Sequence, residues 1–244
     1  MDLGTALLIG LGALGTSALT AVLGFGGGVV LLALLLLFVD PVVAIPLHAA
    51  IQVVSNGTRT VIRRHDVDWA IAARFSLLVL PSGALLIPVV TKAPTAMLQI
   101  AIAATVLVAT WVPERIGHAL PAPSTAAWIG SGAVIGGLNV VVGATGPLQA
   151  PLFRAGTATR LAFVGTFAAT QTYGHLAKIV LFGVAGFAPT RYLAAAAFGI
   201  VGVVVGTWLG SRVLDRMPEA RFDRLYLVAI TVLSVYLIGD ALIG

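Results

Sequence analysis

The sequence predicts an all-α multi-pass membrane protein, an inverted repeat of two halves. Each half should hold about four long transmembrane helices plus one short or half-helix after a glycine break. Three observations predict this. Of 244 residues, 59% are apolar and 9% charged, against roughly 45–50% and about 25% in soluble domains. So few charges cannot cover a surface that faces water. Apolar runs recur along the whole chain, and one pattern occurs twice at a spacing of 119 residues. That shift lays Gly24-Phe25-Gly26-Gly27-Gly28 over Gly143-Ala144-Thr145-Gly146-Pro147. Without a gap it then lays Gln52 over Gln171, Asn56 over His175 and Arg59 over Lys178.

Taken in order, apolar segments fall at 3–23, 29–39, 42–62, 70–90 and 94–112, then at 124–142, 147–153, 157–183, 189–211 and 222–243. A full crossing needs about 20 residues. The segments at 29–39 and 147–153 follow the glycine breaks and are too short, so they are expected to be half-helices or thin, tilted crossings. The first segment follows Met1-Asp2-Leu3 without a basic leader and is expected to stay in the membrane. Pro113, Pro121 and Pro123 mark a linker at 114–123, because proline suits a turn better than a helix interior. It separates a first repeat, 1–113, from a second, 124–244.

Cations set the orientation. With each segment counted as a crossing and 59–74 cytoplasmic, Arg59, Arg63, Arg64, Arg74, Arg115, Arg154, Arg160, Arg212, Arg216, Arg221 and Arg224 fall inside. Lys92 and Arg191 fall outside, and Lys178 stays in the membrane. This is the positive-inside pattern, and five crossings per half make the halves inverted. Re-entrant short segments would instead put Arg154 and Arg160 on the face of Arg191.

The breaks and the polar stripes are the candidate site. Gly24, Gly26, Gly27 and Gly28 let the chain unwind, and the helix that follows offers free N–H groups and partial positive charge to an anion. Gly143, Thr145, Gly146 and Pro147 repeat the device. His48, Gln52, Asn56 and Arg59 share one helix face, as do Gln171, His175 and Lys178. In hydrocarbon such groups must face protein or water. The site is therefore expected to be lined by Gln52, Gln171, His175 and Lys178, with Asn56 and Arg59 beside them. His48 and His175 are candidates for proton coupling, and Asn139 and Gln149 flank the second break. The same residues have plainer readings: close helix packing for the glycines, interhelical hydrogen bonds for the glutamines, and snorkelling for Arg59 and Lys178.

Other chemistries are excluded by what is missing. Cysteine is absent, so disulfides and thiolate metal sites are ruled out. Every Asp and Glu lies at a segment end or in a loop, which disfavours a cation site. No catalytic motif is present, so no enzyme, metal or cofactor is expected. The net charge of +5 is scattered rather than gathered into a nucleic-acid patch.

The Gly24–Gly28 break, Pro46-Leu47, the loop Arg63-Arg64-His65-Asp66-Val67-Asp68-Trp69, the Gly143–Pro147 break and the Lys178 segment together resemble the TauE/SafE family of sulfite exporter-like permeases. The resemblance covers nearly the whole chain. It implies a permease of the cytoplasmic (inner) membrane for sulfite, a sulfonate or a related organosulfur anion. Thr145 and Pro147 stand where a plain glycine repeat would have glycine. The expected function is thus secondary transport of a small anion by alternating access, the halves rocking about the linker. An anion channel and a non-transporting membrane scaffold are the competing readings. Oligomeric state, direction and coupling ion are left open.

Overall fold

The computed structural model describes residues 2–23, 26–111 and 121–213, with isolated positions between 231 and 242. Gly24, Arg115, Arg216, Arg221 and Arg224, and most of the 114–123 linker and of the 222–243 segment, lie outside the described residues.

Ten helices are described: α1 Leu3–Leu23, α2 Gly27–Leu35, α3 Pro41–Ile62, α4 Trp69–Ser76, α5 Val79–Lys92, α6 Thr95–Trp111, α7 Thr125–Val142, α8 Gly146–Gly156, α9 Arg160–Val184 and α10 Leu193–Val213. A short 3₁₀ turn, Pro189–Tyr192, precedes α10. No strand occurs among the described residues. Helix boundaries follow the punctuation of the sequence. Asp40-Pro41 starts α3, while Asp68, Ser124 and Thr159 cap α4, α7 and α9 by accepting first-turn N–H groups. One boundary departs from expectation: the 70–90 segment is split at Leu77–Leu78 into α4 and α5. Pro81 explains the split, because its ring displaces the carbonyl of Leu77 and it has no N–H to bond back.

The 119-residue shift holds at the level of helices. It carries the start of α2 at Gly27 onto that of α8 at Gly146, and Pro41 of α3 onto Arg160 of α9. It also carries the end of α1 at Leu23 onto the end of α7 at Val142. Packing obeys the same exchange. α1 packs on α10, and its equivalent α7 packs on α4 and α5. The equivalent helices α3 and α9 pack on each other. The two halves are therefore interleaved.

Glycine makes this close approach possible. Gly202 and Gly206 of α10 lie against the backbone of Gly10 and Leu14, and Gly132 and Gly136 of α7 lie against Phe75 and Val79. Each pair is a small-x3-small stripe, which lets helices meet backbone to backbone in a membrane. Ser17 adds a bond from Oγ to the Val203 carbonyl at 2.9 Å.

Direction follows from contacts. α2 returns beside α1, with Gly27 against Thr16 and Thr20 and Gly12 against Leu34; α8 returns beside α7, with Gly156 against Trp128. α3 and α9 run antiparallel. Gly165 near the start of α9 touches Arg63 just past the end of α3, and the Asp68 N–H donates to Thr166 Oγ1 at 2.8 Å. Arg154 and the start of α9 thus share one end of the molecule with Arg63 and Arg64, while Arg191 lies past the other end of α9. Outward faces are mostly apolar. Leu85 and Val184, for example, are 79% and 85% exposed, as lipid-facing residues must be.

The end-to-end placement is testable because the native chain offers no competing thiol. Single cysteines at Arg64→Cys and Ala158→Cys are expected to react with an impermeant maleimide from the same side of the membrane, and Thr190→Cys from the opposite side. Opposite labelling of the first two would contradict the antiparallel arrangement. In the packing stripe, Gly132→Leu must push Leu into the Phe75 carbonyl. It is expected to destabilise the protein by about 3 kcal/mol, read as earlier thermal unfolding in detergent.

Candidate functional site

Helices α2 and α8 begin differently from α4, α7 and α9. No side chain caps either first turn. Val29 and Leu148 bond back to the carbonyls of Gly26 and Thr145, and Pro147 has no N–H, so the N–H groups of Gly27, Gly28 and Gly146 are the ones without a partner in the helix. Both helices start inside the bundle, at the wall of one cavity of about 40 Å³. A single water needs about 10–15 Å³ on the same measure, so the space suits a guest of a few heavy atoms.

Five helices and the chain breaks build the wall. Gly26, Gly28 and Val29 come from α2 and its break, Ala144, Thr145, Gly146 and Pro147 from α8 and its break, and Thr20 from α1. α3 contributes His48, Gln52, Asn56 and Arg59, and α9 contributes Phe167, Gln171 and His175. The side-chain amide of Gln52 sits over Gly28 and that of Gln171 over Gly146, so each glutamine covers the break of its own half. His48 Nε2 donates to the Gly28 carbonyl at 2.8 Å, and the His48 and His175 rings meet edge to face with centroids 5.4 Å apart. Arg59 donates to Asn56 Oδ1 at 3.4 Å.

The field in this space is positive. Two helix N-termini supply partial positive charge, Arg59 supplies a full one, and no Asp or Glu is among the lining residues. None of the ten helices contains an acidic residue at all. An anion is the complementary guest.

Most of the expected site residues come together: Gly26, Gly28, His48, Gln52, Asn56, Arg59, Thr145, Gly146, Gln171 and His175 all line the cavity. Five do not. Gly27 is pressed against α1, where it permits the α1–α2 contact. Gly143 turns the chain with φ 72°. Lys178 is 1% exposed, and its Nζ donates to the Gly143 carbonyl. It ties down the second break, and its expected place on the cavity wall falls to its repeat equivalent, Arg59. Asn139 and Gln149 stand behind the wall. Gln149 Nε2 donates to Thr145 Oγ1 at 3.1 Å, and Thr145 in turn reaches Asn139 Oδ1 at 3.4 Å, so this layer orients Thr145.

The residues missed from sequence are Thr20, Val29, Ala144, Pro147 as a wall residue, and Phe167. A signal existed for two of them: the same shift that pairs Gln52 with Gln171 pairs Gly28 with Pro147 and His48 with Phe167. The replacement of glycine by Thr145 at the second break is also explained. Gly26 caps α2 at φ 98°, a conformation that favours glycine, whereas Thr145 caps α8 at φ −111°. Gly143 has already made the left-handed turn there, so Thr145 is unstrained.

Among the described residues, three stretches, Trp69–Lys92, Thr125–Val142 and Thr190–Leu209, are long and apolar enough to cross a bilayer. Such spans around interrupted helices and a buried, acid-free polar cavity belong to a multi-pass membrane transporter. The particular group is given by comparison: the profile of the family described as sulfite exporter TauE/SafE matches residues 8–237, and the chain belongs to that family. Comparison with curated proteins and with solved structures gave no significant match.

Gly143→Ala is expected to lose about 1–2 kcal/mol of stability, because a β-carbon is strained at positive φ and would press on Leu32. Gly130→Ala is the control. It has open space around it and should be neutral or slightly stabilising in a helix. Thermal unfolding of both variants in detergent checks the difference, and equal behaviour would remove the strained turn from the description.

Proposed function

We propose that this transporter carries a small oxyanion, of the sulfite or sulfonate class, across the cytoplasmic membrane by alternating access. The observation that carries the proposal is the pair of uncapped helix starts opening on one cavity beside Arg59, with no carboxylate in the wall. Gln52 and Gln171 would donate amide N–H bonds to the anion, the breaks would donate backbone N–H, and Arg59 would compensate charge.

The antiparallel course of α3 and α9 supports an inverted repeat with its pseudo-two-fold axis in the membrane plane. At about 1.5 Å per residue, α2 and α8 reach only about 13 and 16 Å, half of a hydrocarbon core of about 30 Å. Each would enter and return on its own side, and the two would meet near the midplane. Arg63, Arg64 and Arg154 at one end make that end cytoplasmic. Because α1 packs on α10 and α7 on α4 and α5, the bodies that move would be composites of both repeats. This differs from the rocking of sequence halves about the 114–123 linker.

Uptake of labelled sulfite and methanesulfonate by proteoliposomes tests the proposal. Removing a hydrogen bond to a charged group costs about 1.5–3 kcal/mol, so Arg59→Ala should raise KM at least about tenfold. Gln171→Ala should raise it less. Saturable flux that ignores Arg59→Ala would remove the arginine from the site, and absence of flux for every anion tried would refute transport.

A further inference from the structure

The cavity holds a feature that a bare anion does not satisfy. The Gly28 carbonyl can only accept, so His48 Nε2, 2.8 Å away, must carry the hydrogen. In neutral His48 the other nitrogen, Nδ1, is then a lone pair. That nitrogen is buried and has no hydrogen-bond partner among the described residues, and neither does Nδ1 of His175. His48 is 1% exposed and His175 5%, and both rings line the cavity. An unpaired buried acceptor costs about 1–3 kcal/mol. Against an oxyanion, itself all acceptor, the mismatch would be worse.

One proton removes the conflict. From this geometry, and resting on the anion-transport reading above, we propose that each anion is carried together with one proton held at His48 Nδ1. Water on the loading side gives the proton to the lone pair. The imidazolium then donates Nε2–H to the Gly28 carbonyl and Nδ1–H to an oxygen of the anion. When the cavity opens to the other side the anion leaves and the proton returns to water, so no bond of the substrate is made or broken.

The surroundings leave this role to histidine. Helices α2 and α6, which pack on α3, carry no titratable residue, and α10 carries only Arg212, near its far end. From α9 come His175, edge-on to His48, and Lys178, whose Nζ is engaged by the Gly143 carbonyl. Arg59 on α3 stays charged. Histidine is the one residue type on the wall whose ordinary pKa lies near neutrality. The edge-on His175 would add a second cation at the same place if it were protonated too, so the pair takes one proton.

Methanesulfonate is the informative probe, because it stays a monoanion at every pH used. With one proton per anion, its uptake into proteoliposomes is electroneutral. An inward proton gradient should speed uptake several-fold, while a potassium–valinomycin potential should leave it unchanged. His48→Gln keeps a donor for the Gly28 carbonyl but cannot take up a proton. Its ratio of uptake with and without the proton gradient should fall to about one. Wild-type flux that is indifferent to the proton gradient and follows the potential overturns the inference and leaves the transporter reading standing. If the variant does not insert, that wild-type comparison alone decides. No flux of methanesulfonate or sulfite overturns the transporter reading, and the inference with it.

Discussion

A helix interrupted inside hydrocarbon exposes peptide groups that lipid cannot satisfy, each at several kcal/mol. This chain makes two such interruptions, 119 residues apart, and much of its core polarity is placed to meet them. Gln52 and His48 stand at the first break, with His48 bonded to the Gly28 carbonyl. Gln171 and Lys178 stand at the second, with Lys178 bonded to the Gly143 carbonyl. Asn139 and Gln149 hold Thr145 from behind. The carbonyl groups at the breaks thus acquire protein donors, while the starts of α2 and α8 are left without side-chain caps. An arrangement that fills acceptors and leaves donors open favours a negatively charged guest.

The two breaks share a sequence register but not a chemistry. Arg59 and Lys178 occupy the same position of the repeat, yet one lines the cavity and the other braces a break. His48 is matched by Phe167, and Asn56 by His175. The wall is therefore not two-fold in its side chains. Strict symmetry at this place would have set two cations and two histidine pairs around a space of about 40 Å³. The interleaving of α1 with α10 and of α7 with α4 and α5 adds a mechanical consequence, since neither half can move without carrying part of the other.

Much of this was legible in the sequence because the punctuation is strong. The apolar runs and the glycine breaks place most helix ends to within a few residues. The repeat register groups Gln52, Gln171 and His175, and all three line the cavity. The kink at Leu77–Leu78 was missed because an apolar run hides the effect of Pro81. Lys178 lies off the cavity wall for a different reason. Helical spacing fixes which face a side chain shares, but not whether a long amine reaches the cavity or stops at a carbonyl on the way. Thr20, Val29 and Ala144 carry no chemical signal of their own, and only the folded backbone brings them to the wall.

The account turns on a single guest held between the starts of α2 and α8. Selenite can stand in for sulfite, and its selenium scatters anomalously, so crystals grown with it would locate the guest directly. The account predicts one strong anomalous peak among Gly28, Gln52, Thr145 and Gln171, within reach of Arg59. A peak elsewhere in the bundle, with that space empty while the protein still transports sulfite, would contradict it.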